Sequence, residues 1–248
     1  MITESTIHQL HELRLNKMAE AFRRQFTDAS LKELSFEKRF SLIVDAEWQG
    51  RRNSRLARLI SGAGFSVSAS VEDIEYHMDR LLDREQILSL ATCEYIVNRN
   101  NVIILGATGA GKSYLSCALG LSACRNFYTV KYVRLPELLN ELAVARGEGT
   151  YRKTVKAYAK VSLLILDEWL LLPLQEQEVR DLFEIVESRT ACGSTIFASQ
   201  HDPAGWHGKL GEGTLADAIL DRIMHNSHRI FIDGKESMRK RRGISEAL

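Results

Sequence analysis

Apolar residues in the first part of the chain recur at helical spacing. In "STIHQLHELRLNKMAEAFRRQF", residues 5 to 26, Ile7, Leu10, Met18, Ala21 and Phe22 fall on one side of a repeat of about 3.6 residues, which predicts a helical run. A second helical run, "SFEKRFSLIVDAEWQGRRNSRLARLI", reads as one helix or two, and Ser35 with Lys38 gives it only half of a capping box. The small, Gly/Ser-rich "SGAGFSVSAS" reads as a hinge, and residues 72 to 99 as helices again. From Val102 the pattern changes. The β-branched runs "NVIIL", "TVKYV", "VSLLIL", "STIFA" and "HRIFI" alternate with helical stretches, which predicts a mostly parallel sheet with helices on its faces. Thr214 and Asp217 read as a T-x-x-D cap ahead of "LADAILDRIMHN". The expected organisation is a helical unit over residues 1–68 and an α/β unit over residues 69–248.

Composition changes this picture little. The chain has 248 residues, 45% apolar and 26% charged, as ordinary globular proteins do. A formal net charge of +1 excludes a polybasic binder, so any nucleic-acid contact has to come from local clusters. Cys93, Cys117, Cys124 and Cys192 show no C-x-x-C spacing and are expected to be reduced. The start, "MITESTIHQL", lacks the basic and apolar regions of a secretory signal, and even "LLILDEWLLLPL" is broken by acids. A cytoplasmic protein with no membrane segment is expected.

The chemistry is concentrated in "GATGAGKS", Gly106 to Ser113, which fits G-x-x-x-x-G-K-[ST] between an apolar strand and a helix-forming run. Phosphate oxygens must reach several backbone N–H groups, so bulky side chains have to be absent. Gly106, Gly109 and Gly111 meet that demand, with Ala107 and Ala110 adding little and Thr108 completing the loop. In this pattern Lys112 reaches the β- and γ-phosphates of a nucleotide such as ATP, and Ser113 holds Mg²⁺. "VSLLILDEW" ends a buried strand in Asp167, a second candidate for the metal, and Glu168, a candidate to activate water. A carboxylate placed for water points to hydrolysis. At the end of "STIFASQ" either Gln200 or Ser199 is placed to sense the γ-phosphate, and either Arg222 or Arg229 to complete a neighbouring subunit's site. His225 and His228, three residues apart, read as solvated helix-end histidines rather than metal ligands.

Two cationic clusters are candidates for a DNA backbone. Arg51, Arg55 and Arg58 share a helical face in "RRNSRLARLI", and Lys235, Arg239, Lys240, Arg241 and Arg242 lie in "GKESMRKRRGI".

The segments "HELRLNKMAEAF", "SFEKRFSLIVDAEW", "GATGAGKSYLSCALG", "LLILDEW", "STIFASQ", "TLADAILDRIMHNSHRI" and "GKESMRK", taken in order, resemble the IstB family, AAA+ helpers of IstA-type transposases related to DnaC helicase loaders. The resemblance covers nearly the whole chain. It implies an α/β AAA+ P-loop NTPase, a parallel five-stranded sheet flanked by helices, with the "STIFA" strand between the phosphate-loop strand and the "LLIL" strand. It also implies an all-helical amino-terminal domain, ATP-dependent homo-oligomerisation on duplex DNA, and stimulation of a transposase. It carries Gln200 over as the sensor and Arg222 as the arginine finger, beside Lys112, Ser113, Asp167 and Glu168. Two features depart from the family: "DEWLLLP" stands where members commonly have a second Asp and a nearby Gly, and about 16 residues follow the last predicted strand, too few for a full carboxy-terminal lid. Arg239 is the remaining candidate for a lid arginine. The alternative readings are a DnaC-type helicase loader, a small-molecule kinase and a nucleotide-gated interaction module with negligible turnover.

Overall fold

A computed structural model describes residues 2–77, 80–190, 192–233 and 238. The chain divides into two compact units, Met1–Arg58 and Leu59–Leu248. The boundary falls inside a helix rather than in the Gly/Ser-rich stretch.

The first unit is helical: α1 (Ile2–Glu12), α2 (Asn16–Thr27), α3 (Ala29–Lys32) and α4 (Phe36–Ala63), the last running past the boundary. The first periodic run is therefore two helices. Arg14 takes a left-handed backbone with φ of 59°, Leu15 N–H bonds back to Leu10 O and Arg14 N–H to His11 O, which is a Schellman ending. The second run is one helix. Ser35 receives only a long bond, 3.4 Å, from Lys38 N–H. The cap that matters lies elsewhere: Glu47 on α4 accepts from Lys17 N–H at 2.9 Å and Met18 N–H at 3.0 Å, satisfying the first turn of α2 from a neighbouring helix.

The second unit opens with a 3₁₀ turn at Val71–Asp73 and continues as α5 (Arg84–Ala91), α6 (Glu94–Val97), β1 (Asn101–Gly106), α7 (Lys112–Arg125), β2 (Val130–Arg134), α8 (Leu135–Gly147), α9 (Tyr151–Lys160), β3 (Leu163–Asp167), α10 (Glu176–Arg189), β4 (Ser194–Ser199), α11 (Pro203–Leu210), α12 (Thr214–Met224) and β5 (Ser227–Ile232). Residues 72–99 are thus less helical than their composition suggests. The Thr214 cap is not formed: Gly213, at φ 146°, occupies the cap position, Thr214 is already inside the helix, and Asp217 bonds His207 Nε2 at 3.0 Å.

All five β-branched runs are strands of one parallel sheet in the order β2-β3-β4-β1-β5. The "STIFA" strand lies between the other two as the resemblance implies. Buried on both faces, these strands read as near-continuous apolar runs. Ile103, Leu105, Leu164, Leu166 and Phe197 pack with residues of α8 to α12, while α7 lies on the sheet through the alternate positions. Trp169, Trp206 and Phe197 form an edge-packed aromatic cluster, with Trp169 centred 4.6 Å from Phe197 and 5.7 Å from Trp206.

Candidate functional site

The loop from Gly106 to Gly111 leaves the carboxyl end of β1, a central strand, and opens α7. A Cβ on Gly106 would lie 2.4 Å from Ile232 O, so only glycine fits. Gly111 takes φ 98° as the residue before α7, which turns the first N–H groups of that helix toward the loop. Lys112 is buried. Its Nζ donates to Gly106 O at 2.8 Å and Ala107 O at 2.9 Å, which holds the ammonium over the loop. Burial pulls its pKa down, against the opposing charge of Asp167.

Asp167 ends β3 with both carboxylate oxygens engaged. Tyr132 OH donates to Oδ2 at 2.6 Å and Glu168 N–H to Oδ1 at 2.8 Å. Burial first, and this hydrogen bond second, push the Tyr132 phenol up, so it remains a donor. Glu168 adopts φ 54°, a backbone that non-glycine residues rarely take, and lies 3.7 Å from the Arg134 guanidinium. Arg134 ends β2 in register with Asp167 and also pairs with Glu137.

Gln200 follows β4 and accepts from Thr108 Oγ1 at 2.7 Å, joining the loop to the neighbouring strand. Of the two sensor candidates, Ser199 is buried and turned inward: it donates to Trp169 O at 3.0 Å and accepts from Trp206 Nε1 at 3.1 Å. Beside the loop lies a cavity of about 300 Å³, walled by Val67, Ile74, Leu82, Leu115 and Met238 and reaching Lys112 and Ser113. Its apolar walls suit a flat heterocycle. Arg80, buried at its edge, donates to Ala110 O at 2.7 Å and to Glu75 O at 3.0 Å.

The loop, the acidic pair and Gln200 are thus brought together. Arg222 is not. It lies in the last turn of α12 near Arg99, Asn101 and Asn226, at the amino ends of the strands, one strand length or roughly 20 Å from the loop. There it pairs with Glu187, donates to Ala218 O at 3.0 Å and lies 5.2 Å over the Phe183 ring. Arg229 is exposed on β5, opposite Ile103. His225 and His228 are exposed, and no cluster of metal-binding side chains occurs among the described residues. In the helical unit Arg51 bonds Glu47 at 2.7 Å and Arg14 O at 3.3 Å, while Arg55 and Arg58 are exposed. Lys235, Arg239, Lys240, Arg241 and Arg242 lie outside the described residues.

Tyr132, Arg134 and Arg80 escaped the sequence reading. The first two are visible once β2 is placed beside β3, because the register sets Arg134 against Asp167. Arg80 sits in an irregular segment with no local pattern.

A phosphate loop on a central parallel strand, with acids ending one neighbour but one and a polar side chain ending the strand between, defines a P-loop NTPase of the AAA+ class. Comparison with known proteins carries this further: the model of the IstB-like ATP binding protein family matches residues 8–246, and the chain belongs to that family. It is 40% identical over 242 residues to an insertion sequence ATP-binding protein of Sinorhizobium fredii, covering 98% of this chain and 99% of the relative. With an ATP-binding protein of insertion sequence IS1162 from Pseudomonas fluorescens it shares 41% over 201 residues, 81% of this chain and 87% of the relative. Among solved structures, AMPPCP-bound DnaA from Aquifex aeolicus superposes with a TM-score of 0.57 at 22% identity, over 71% of this chain and 53% of that one. The DnaC helicase loader does so at 0.53 and 17%, over 66% and 97%. These two likenesses concern the fold alone. No helix among the described residues is long and apolar enough to cross a membrane.

Proposed function

We propose that the protein is an ATPase that assembles on duplex DNA when ATP binds and assists a transposase of the IstA type at its target. Hydrolysis then releases the assembly. The phosphate loop, Gly106 to Ser113, holds the triphosphate and the adjoining apolar cavity takes the base. Ser113 and Asp167 offer the hard oxygen donors that Mg²⁺ favours and would hold it, where it would neutralise phosphate charge. Glu168 orients and deprotonates the attacking water, steadied by Arg134, and Gln200 reads the γ-phosphate. The insertion sequence named in the relatives' descriptions supports the transposition setting. The helical residues of the 1–68 segment, through Arg55, Arg58 and the outer face of Arg51, contact DNA phosphates without reading sequence; residues 69–248 form the ATPase domain.

One observation supports the reading of assembly: Arg222 stands at the opposite end of the sheet from its own loop, too far to reach its own nucleotide, so any part it takes in hydrolysis is on a neighbour's nucleotide. Mixing two inactive variants tests this. Lys112→Ala and Arg222→Ala should each hydrolyse ATP poorly alone, and an equimolar mixture should recover activity, because an intact loop then meets an intact arginine. An Arg222→Ala protein that turns over at the wild-type rate, or a wild-type rate per protomer indifferent to protein concentration and duplex DNA, overturns the proposal.

A further inference from the structure

Within the helical unit α2 and α4 line an apolar cleft of about 560 Å³. Met18, Phe22 and Phe26 line it from α2 and Phe36, Phe40 and Ile43 from α4, each set at the spacing of one helical face. The walls are ordered in advance, with Phe22 and Phe26 edge-on at 5.2 Å and Phe36 and Phe40 stacked at 6.0 Å. Yet Phe36 is 73% exposed, Phe40 53% and Phe26 52%.

Two polar groups stand among these rings. Gln25 is only 8% exposed and its Oε1 has no hydrogen-bond partner; Arg39 Nε is buried with none either. Buried polar atoms in folded proteins nearly always have a partner. Both residues line the cleft, so a chain lying in it can supply what they lack. The charge is one-sided as well: among the described residues Lys32 and Arg39 line the cleft and no acidic side chain does.

We propose that this cleft docks an amphipathic helix of a partner protein, apolar on the face that enters and acidic along the edge that meets Lys32 and Arg39. A groove lined at i, i+4 and i+8 by one helix and at i, i+4 and i+7 by another suits the apolar face of an incoming helix, which presents its own anchors at i, i+3, i+4 and i+7. Duplex DNA would satisfy the cations and leave the phenylalanines wet. A symmetric pairing of two copies through this cleft would set Lys32 and Arg39 against their own counterparts, like charge on like.

The test uses the full chain and a fluorescent designed helical peptide, with leucines at i, i+3, i+4 and i+7 and glutamates on both flanks, beside a twin with lysines for glutamates. Anisotropy should show binding of the acidic peptide and not of the twin. Phe36→Ala and Phe40→Ala should each weaken it about tenfold or more, as loss of an aromatic anchor does, and Arg39→Glu should reverse the preference between the peptides. Circular dichroism of each variant checks that the helices are intact, and binding of a fluorescent ATP analogue should be unchanged in all of them. Equal binding of both peptides, or of neither, overturns the proposal. So does sedimentation showing that Phe36→Ala splits a wild-type oligomer, which assigns the cleft to a second copy, or an equal loss of duplex DNA affinity in Phe36→Ala, which assigns it to nucleic acid.

Discussion

The two units treat their large apolar side chains in opposite ways. In the α/β unit Ile103, Ile104, Leu164, Ile165, Trp169 and Trp206 are fully buried, and the sheet is covered on both faces. Among the described residues of the helical unit only Ile7, Ala19 and Ile43 are buried apolar residues, while Phe36, Phe40, Trp48 and Phe26 stand open. The α/β unit closes its own core. The helical unit keeps its shape with fewer apolar contacts and more particular polar ones, Glu47 above all, and leaves apolar surface facing outward. A unit of the first kind carries chemistry that needs fixed geometry; a unit of the second kind is suited to being completed by something else.

That contrast can be broken by substitution. Trp206→Ala removes a fully buried ring from the aromatic cluster and should destabilise the α/β unit by about 3–5 kcal/mol, read as a lower urea midpoint. Lys112→Ala removes the ammonium held over the loop and should weaken a fluorescent ATP analogue on the order of 100-fold, with the urea midpoint nearly unchanged. Glu47→Gln leaves an acceptor for Lys17 and Met18 N–H but removes the charge paired with Arg51, and should cost the helical unit about 1–2 kcal/mol near neutral pH. Glu47 adds a pH dependence. Burial raises its pKa, but the hydrogen bond from Arg51 and those from the Met18 and Lys17 N–H groups outweigh it, leaving it below the ordinary value of 4.5. A carboxylate depressed in the folded state contributes stability in full above that value and loses it as pH falls through the folded pKa. Wild type should therefore lose helicity in acid more steeply than Glu47→Gln, as followed by circular dichroism from neutral pH downward. The smallest effect is expected from Phe36→Ala, within about 0.5 kcal/mol, because its ring is already mostly in water. A large loss there would mean that the helical unit depends on its open rings after all.

The same contrast governed what could be read from the residues. Strands buried on both faces leave an apolar signature in the chain itself, and a phosphate loop needs glycines at fixed spacing, so β1 to β5 and Gly106–Ser113 were legible locally. Helix ends in the first unit were not. Arg14 ends α1 in a conformation usually taken by glycine, and Glu47 caps α2 from a residue 30 positions away, a relation no window of sequence contains. The expected cap at Thr214 failed for a local reason, a glycine one position earlier. At the site, Tyr132 and Arg134 reach Asp167 and Glu168 only because β2 lies beside β3, which periodicity alone does not decide.

The hydrogen bonds of Ser199 have an optical consequence. Its hydroxyl ties the main chain at Trp169 to the indole of Trp206, one residue before Gln200 and one after Glu168 in the chain. A shift of the strand end at Ser199 disturbs both of these bonds. Of the three tryptophans in the sequence, Trp48 alone is exposed, and a Trp48→Phe protein would keep only Trp169 and Trp206. Its fluorescence is then a built-in reporter, needing no label, of what the strand end does when phosphate arrives.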